Sequence, residues 1–263
     1  MSVLNGLRHF LLALQFFTRI PVTGRLAQWV GFSPAMLRAS AAWLPVVGGL
    51  VGAVGAAVFF GALAIWPAPV AALLCTIATV LLTGAFHEDG LADVADGLGG
   101  SQNRERALDI MKDSRIGAFG ALALVLALGL KIALLSTLAM QGTVFAAAVA
   151  VLAAHVLSRL APLALMRWLP YVGGEASKSR PLADALSVHA LGIAVLCSLP
   201  AVGLLVFAHG AATGMAALFA GAVFTWVMAS WFRRRLGGFT GDCLGATQQV
   251  VELAIYLALA AQS

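Results

Sequence analysis

Long stretches of apolar sequence with very few charges are the feature that most limits what this chain can fold into. A helix needs about 20 mostly apolar residues to cross the hydrocarbon core of a bilayer. Six stretches are candidates: Ala41–Trp66, Val70–Phe86, Ala118–Ala139, Val144–Trp168, Val188–Ala208 and Ala212–Phe232. Of the 263 residues, 61% are hydrophobic and 10% are charged, whereas soluble domains average about 45–50% and about 25%. The pattern predicts an all-α, polytopic integral membrane bundle.

Two further segments are weaker candidates for membrane contact. Gln248–Ala261 is short, so the expected number of spanning helices is six or seven. Leu4–Phe17 has an apolar Leu/Phe face and lacks the small-residue cleavage site of a signal peptide, so we expect a retained amphipathic or partly inserted helix. Residues 1–263 are predicted to form one membrane domain, in which residues 1–38 are the N-terminal interfacial segment.

Lys and Arg occur almost entirely in alternate connections between the spans. Connections such as Pro67–Pro69 and Met140–Thr143 are short and contain neither. Fourteen of the 16 basic residues share one predicted side: Arg8, Arg19, Arg25, Arg38, Arg104, Arg106, Lys112, Arg115, Arg167, Lys178, Arg180, Arg233, Arg234 and Arg235. The positive-inside rule places that side in the cytoplasm, and we expect the bacterial cytoplasmic (inner) membrane. The +5 net charge is thus a topology signal, not that of a nucleic-acid reader.

A run of small residues in the first span indicates close helix packing. Gly48 and Gly52 have the G-x-x-x-G spacing that lets two helix backbones approach each other. We favour packing within the chain, and the same spacing leaves a homo-oligomer open.

Most acidic residues lie in one segment, residues 87–116, on the predicted cytoplasmic side. Seven of the 11 are found there: Glu88, Asp89, Asp93, Asp96, Glu105, Asp109 and Asp113. On a helix, Asp89, Asp93 and Asp96 share one face, and Asp109 and Asp113 share a face of a second helix. Gly97, Gly99 and Gly100 lie between the two groups, and we expect a tight reversal there that brings the faces together.

This arrangement of carboxylates predicts a site for a hard cation. Stacked like charges repel one another unless a cation lies between them, and oxygen ligands select Mg²⁺ or Mn²⁺ over Zn²⁺. The alternative is a solvated loop with surface ion pairs, which we favour only for Glu105. Basic residues follow closely in the sequence, and Mg²⁺ together with Lys and Arg is typical of phosphoryl transfer.

Two other function classes fit part of this pattern. The D-x-x-D-G of Asp93–Gly97, followed by the D-x-x-x-D of Asp109–Asp113, partly matches the metal motif of CDP-alcohol phosphotransferases, although the interval is shorter and the Ala-Arg pair of that motif is missing. A transporter of a metal or phosphorylated solute is the second alternative. Transporters tend to show internal repeats and charged or broken helices at the bilayer midplane, whereas this chain has no evident repeat and places its acids on one side. An enzyme is favoured.

Five stretches in order along the chain resemble the cobalamin synthase family of adenosylcobinamide-GDP ribazoletransferases. They are Phe17–Pro21, His87–Leu98, Ile110–Gly120, Lys178–Arg180 and Gly238–Ala246. The resemblance implies a Mg²⁺-dependent transferase, in which a ribose hydroxyl of α-ribazole, or of its 5′-phosphate, attacks the phosphate attached to cobinamide and GMP leaves. It implies adenosylcobinamide-GDP, α-ribazole and the lipid bilayer as partners, and it leaves contacts with other cobalamin-assembly enzymes open.

The resemblance and the spacing together assign roles to individual residues. The expected Mg²⁺ ligands are Asp89, Asp93 and Asp96, with Asp109 or Asp113. The expected catalytic residues are Asp93, Asp96, Asp242 and Lys112, and the expected phosphate-binding residues are Arg104, Arg115, Lys178, Arg180 and Arg159.

Several of these assignments have alternatives. Asp242 is a metal ligand, a general base or a helix cap. Arg159 faces the bundle interior or extends to the headgroups, and Lys178 and Arg180 could instead anchor the topology. Glu88 and Gln249 depart from the pattern of the resembling family, and neither is assigned a ligand role.

Overall fold

The computed structural model describes residues 3–174 and 186–261, which are built from helices. The helices are α1 (Val3–Phe17), α2 (Gly24–Val30), α3 (Pro34–Ser40), α4 (Leu44–Leu63), α5 (Ala68–Thr83), α6 (Phe86–Gly100), α7 (Arg104–Ile110), α8 (Ala118–Gln141), α9 (Val144–Leu157), α10 (Leu160–Trp168), α11 (Val188–His209), α12 (Ala211–Leu236) and α13 (Gly241–Ala260). A 3-10 turn, Ala41–Trp43, joins α3 to α4. The prediction of an all-helical polytopic membrane bundle is confirmed.

Six helical stretches among the described residues are long and apolar enough to cross a membrane. They are Pro34–Leu63, Ala118–Gln141, Val144–Trp168, Val188–His209, Ala211–Leu236 and Gly241–Ala260. The pair α5 and α6 passes the same test as a unit, but it is bent by 90°, which makes the count six or seven. The last span begins at Gly241, well before its predicted start at Gln248. The seven residues before Gln248 include two glycines, Asp242 and Thr247, which lower the local hydropathy.

The break between α5 and α6 lies at two consecutive left-handed residues. Gly84 has a φ of 66° and Ala85 a φ of 59°, a region that residues with a Cβ seldom adopt. The backbone N–H of Arg19 donates to Leu82 O at 2.7 Å, and a Cβ on residue 84 would collide with the Arg19 guanidinium. The predicted span Val70–Phe86 therefore ends early, and α6 turns away from the direction of α5.

Three helical hairpins define the two ends of the bundle. Short turns join α4 to α5, α8 to α9 and α11 to α12 at one end. At the other end α4, α8, α11 and α13 begin, and we call this the loop end. Helix α13 is central, since it packs against α6, α8, α9, α10 and α12.

The G-x-x-x-G spacing of α4 serves packing within the chain. A Cβ on Gly48 would collide with the carbonyl oxygen of His155, and one on Gly52 would lie 2.9 Å from the Cα of Leu152. Helix α4 therefore packs closely on α9 at these two positions, as favoured from the sequence.

Charged and amide side chains are enclosed in the middle of the bundle. We call this group the polar core: Glu88, Lys131, His155, Arg159, Gln248, Gln249 and Glu252, all of them buried. Lys131 Nζ of α8 lies 2.7 Å from Glu252 Oε1 of α13, and His155 Nδ1 of α9 lies 3.6 Å from Glu252 Oε2. Because charges inside a bilayer are costly unless paired, these contacts tie α8 and α9 to α13.

Amide groups extend the polar core from Glu252 to α6. Gln248 Nε2 donates to Glu252 Oε2 at 2.8 Å and to Ser158 Oγ at 2.9 Å. Gln249 Nε2 donates to Gln248 Oε1 at 3.0 Å and to Glu88 Oε1 at 3.1 Å. The central helix is thus hydrogen-bonded to the first turn of α6.

The carboxylate of Asp96 joins the end of α6 to the beginning of α8. It accepts hydrogen bonds from the backbone N–H groups of Gly117, at 2.7 Å, and Gly120, at 2.8 Å. A Cβ on either glycine would collide with this carboxylate. Asp96 therefore satisfies two of the free N–H groups at the N-terminus of α8.

Two arginines donate hydrogen bonds to carbonyl groups at the C-terminal ends of α6 and α12. Arg104 Nε donates to Leu236 O, at the end of α12, at 2.6 Å. Arg235 Nη2 donates to Ser101 O, just beyond α6, at 2.6 Å. Both guanidinium groups lie where the negative end of a helix dipole favours a cation. These two bonds fix α6 and α7 against α12.

The predicted reversal at Gly97, Gly99 and Gly100 is wrong, because α6 continues through all three. The chain reverses after Ser101, where α6 has ended. Gly97 and Gly100 allow close packing on α7 and the residue after it, and Gly99 lies against the beginning of α8. The glycines therefore serve helix packing rather than the turn.

We expect Lys131→Met to lower the free energy of unfolding by about 3–5 kcal/mol, because it leaves Glu252 with an uncompensated buried charge. The double variant Lys131→Met/Glu252→Gln removes both charges and should recover a large part of that loss. Denaturant titration in detergent micelles measures both values. A double variant that is less stable than Lys131→Met would contradict a paired role for these residues.

We expect Asp96→Ala to lower the free energy of unfolding by about 1–3 kcal/mol, because two backbone N–H groups lose their acceptor. Asp96→Asn keeps one acceptor oxygen and should lose less. The exposed Glu105→Gln is the control, for which we expect a change below about 0.5 kcal/mol. If Asp96→Ala unfolds like the wild type in the same titration, the capping role is refuted.

Candidate active site

Helices α6 and α13 cross at the loop end with almost no space between their backbones. A Cβ on Gly90 would lie 2.7 Å from the carbonyl oxygen of Asp242, and one on Gly245 would lie 3.2 Å from the Cα of His87. Only glycine fits at Gly90 without a shift of one helix. This crossing brings Asp89 and Asp93 of α6 towards Asp242 of α13.

Three carboxylates form the resulting acid cluster, Asp89, Asp93 and Asp242. The charge of Asp93 interacts with those of Asp242, Asp89 and Asp96, and that of Asp242 with Asp89. Asp96 is not included in the cluster because its carboxylate is hydrogen-bonded to the beginning of α8. Asp89 is exposed, whereas Asp93 and Asp242 are partly buried. Within the described part of the chain, no Lys or Arg forms a salt bridge with any of the three. The cluster is therefore a site of uncompensated negative charge.

Two helix N-termini lie at this cluster, and the positive ends of their dipoles offset part of the repulsion among its carboxylates. Asp89 is in the first turn of α6, and Asp242 is in the first turn of α13. The positive end of a helix dipole stabilises a carboxylate in this position. The cap of α13 is Thr240, whose Oγ1 accepts from Cys243 N at 3.4 Å. Thr240 rather than Asp242 therefore caps α13. The Thr240 hydroxyl also donates to Asp242 Oδ2 at 3.2 Å.

A short backbone pairing holds the turn that carries Asp242. Phe239 N donates to Pro170 O at 2.9 Å, and Val172 N donates to Phe239 O at 2.9 Å. The rings of Tyr171 and Phe239 meet edge to face with centroids 5.5 Å apart. The segment after α10 therefore fixes the start of α13.

The donor set of the acid cluster fits a hard cation shared with a substrate. The described residues contain no group of three or more His, Cys, Asp or Glu side chains arranged to hold a metal ion by themselves. Mg²⁺ is usually held by one or two carboxylates together with substrate phosphates and water. Carboxylates that face one another without a cationic partner meet that requirement, and the phosphate oxygens would come from the substrate.

The second acidic stretch does not join the acid cluster. Asp109 lies 3.8 Å from Lys112, and Asp113 lies 2.6 Å from Arg115, and all four side chains are partly or fully exposed to solvent. Hydrogen bonds from Arg115 lower the pKa of Asp113 to about 2. Each predicted ligand of this stretch therefore has a basic neighbour of its own.

The other predicted site residues lie at several places. Asp96 and Arg104 hold helix ends, as described above. Arg159 is enclosed in the polar core, where its Nη1 donates to His155 O at 2.7 Å, so it does not extend to the headgroups. Lys178 and Arg180 lie outside the described residues.

A pocket of about 520 Å³ opens beside the acid cluster. Asp89, Asp242 and Arg19 line it together with apolar side chains of α1, α4, α6, α10 and α13, among them Phe17, Phe86, Leu163, Met166 and Leu244. From the sequence, Arg19 was predicted only as one of the basic residues on the cytoplasmic side. Its place in the matching stretch Phe17–Pro21 was the signal that could have assigned it to the site.

Comparison with known proteins identifies the family. The model of the family described as cobalamin-5-phosphate synthase matches residues 9–260. A protein of Albidiferax ferrireducens named adenosylcobinamide-GDP ribazoletransferase is 58% identical, over 97% of this chain and 98% of its own length. Proteins of the same name from Shewanella amazonensis and Vibrio cholerae are 46% and 43% identical, over 95% and 96% of this chain and 94% and 93% of their own lengths.

No solved structure matches the chain. The sequence matches cover nearly its whole length, and they support the prediction of an enzyme over that of a transporter. The chain belongs to the cobalamin-5-phosphate synthase family, whose named members are transferases of cobalamin biosynthesis.

Proposed function

We propose that this enzyme joins α-ribazole, or its 5′-phosphate, to adenosylcobinamide-GDP and releases GMP. Its relatives are named adenosylcobinamide-GDP ribazoletransferases. The observation that supports it most for this chain is the proximity of Asp89, Asp93 and Asp242, of which Asp89 and Asp242 line a pocket that also contains Arg19. Such a site can hold a diphosphate, a hydroxyl nucleophile and a cation together.

The transfer is a substitution at one phosphorus atom. A ribose hydroxyl oxygen forms a bond to the phosphorus attached to cobinamide, and the bond from that phosphorus to the oxygen bridging to GMP breaks. The hydroxyl proton passes to a carboxylate, for which Asp242 is placed by its position in the pocket lining. GMP leaves with the bridging oxygen, and the Arg19 guanidinium is suited to pair with phosphate oxygens.

We propose Mg²⁺ as the cofactor, held by Asp89 and Asp93 with Asp242 as a further candidate ligand. When bound, Mg²⁺ would neutralise charge on the phosphate oxygens. Asp109 and Asp113 remain predicted ligands of lower rank, because each is paired with a basic side chain. Asp96 binds the beginning of α8. This contact holds α6, the helix that carries Asp89 and Asp93.

We place the site on the cytoplasmic side of the bacterial inner membrane. The loop end carries the acid cluster, and fourteen of the 16 basic residues lie in segments predicted on that side. The positive-inside rule assigns such an end to the cytoplasm, where nucleotide substrates are available.

We expect Asp93→Asn to reduce GMP release by about 100-fold or more, because it removes a charge that would bind the cation shared with the diphosphate. The assay uses protein reconstituted in liposomes with adenosylcobinamide-GDP, α-ribazole and Mg²⁺. EDTA should abolish release, and added Mg²⁺ should restore it. Parallel reactions with α-ribazole 5′-phosphate measure which acceptor gives the higher kcat/KM.

The matched control is Glu105→Gln, the same change of carboxylate to amide on an exposed residue outside the cluster. It should release GMP at the wild-type rate. Asp109→Asn and Asp113→Asn report whether the second stretch contributes. If folded wild-type protein supplied with metal and both substrates releases no GMP, the proposed reaction is refuted.

A further inference from the structure

The pocket beside the acid cluster is lined by side chains of two different kinds. Its polar side chains come from the segment just after α1 and from the crossing of α6 and α13: Arg19, His87, Asp89 and Asp242. The remaining side chains that define it are apolar, and three of them are phenylalanines. Such a pocket suits a ligand with one flat apolar part and one part that bears hydroxyl groups.

We propose that this pocket is the binding site of the incoming ribazole nucleoside, with its benzimidazole base among the phenylalanines and its ribose at Asp89 and Asp242. The proposal rests on the proposed function, because it takes the acceptor of that reaction as the occupant.

The volume of the pocket favours the nucleoside over the larger substrate. At about 520 Å³, it lies within the range of about 300–1,000 Å³ found for sites that enclose drug-sized ligands. A nucleoside is of that size. Adenosylcobinamide-GDP carries a corrin ring, an adenosyl group and a nucleotide, so the pocket cannot enclose it.

The aromatic residues provide a surface for a flat base. The ring of Phe86 is 41% exposed and meets Phe16 and Phe17 edge to face, with centroids 6.0 and 5.7 Å apart. Its neighbours therefore hold the ring while part of it stays open to a ligand. Bases stack readily on aromatic side chains placed in this way.

The side chains also discriminate between the two bases of the reaction. The polar side chains of the pocket are those proposed to meet the ribose and phosphate, and none of its other described lining residues is Ser, Thr, Asn or Gln. A guanine among the phenylalanines would compete with its own ribose for these groups, and an unsatisfied polar group is costly to bury. The dimethylbenzimidazole of α-ribazole has an apolar edge and loses nothing there. The guanine of the other substrate is therefore expected outside this pocket.

The position of the acid cluster agrees with this orientation. Asp89 and Asp242 line the same pocket as the phenylalanines, so a base among the rings places its attached ribose within reach of the carboxylates. Ribose hydroxyl groups donate hydrogen bonds to carboxylate oxygens. The attacking hydroxyl is thus bound next to the group that accepts its proton.

Direct binding of α-ribazole to the reconstituted protein, without adenosylcobinamide-GDP, tests the proposal. We expect Phe86→Ala to raise the Kd for α-ribazole by about 10-fold or more through lost stacking, and Phe86→Trp to keep affinity near that of the wild type. The control is Phe32→Ala, which removes a phenylalanine that is 68% exposed and lies outside this pocket. Guanosine should bind the wild type at least about 10-fold more weakly than α-ribazole.

Steady-state kinetics give the second readout. In Phe86→Ala the KM for α-ribazole should rise while the KM for adenosylcobinamide-GDP stays within about twofold. The proposal is overturned if α-ribazole binds equally well to Phe86→Ala, if guanosine binds as tightly as α-ribazole, or if only the KM for adenosylcobinamide-GDP rises. The first result would indicate that lipid or another ligand fills the pocket.

The binding measurement separates this proposal from the proposed function. Binding of α-ribazole that depends on Phe86, without any release of GMP, would support the pocket and refute the reaction. Release of GMP with a KM for α-ribazole that does not depend on Phe86 would support the reaction and refute the pocket.

Discussion

The pairing of Lys131 with Glu252 is the contact on which the arrangement of the central helices depends. Glu252 is fully enclosed, and a lone carboxylate there would be very costly, so α13 can occupy the centre only in a register that presents Glu252 to Lys131. From Glu252, hydrogen bonds continue through Gln248 and Gln249 to Glu88. Glu88 directly precedes Asp89. The buried ion pair and this chain of hydrogen bonds together fix the position of the first residue of the acid cluster.

Helix ends at the loop end supply a second set of constraints. A helix that turns by 90° out of the bundle leaves unpaired backbone groups at its own ends and at those of its neighbours. Asp96 satisfies the start of α8, while Arg235 and Arg104 satisfy the ends of α6 and α12. Asp96 and Arg104, two of the residues predicted for the site, therefore also hold the helix ends around Asp89 and Asp93. The same chemistry that makes a residue a good phosphate or metal ligand makes it a good cap.

Sequence periodicity predicts the spans and the helical face of the first acids well, because both depend on local residue order. It fails where contacts between residues that are distant in the sequence determine the structure. The start of α13 was missed because two glycines, Asp242 and Thr247 lower the hydropathy of the residues before Gln248. The role of Asp96 depends on Gly117, which is distant in sequence, and no local pattern reports that contact. The glycines near the end of α6 predict a turn, although they allow close packing on α7 and on the beginning of α8.

The two positions that depart from the pattern of the resembling family illustrate the same limit. The sequence assigned neither Glu88 nor Gln249 a ligand role, and it did not indicate that they are in contact. The structure places them in contact, with Gln249 donating to Glu88. An amide at residue 249 supplies the donor that a buried glutamate at residue 88 needs, whereas a second carboxylate there would repel it. This hydrogen bond lies at the joint between the central helix and the helix of the acid cluster.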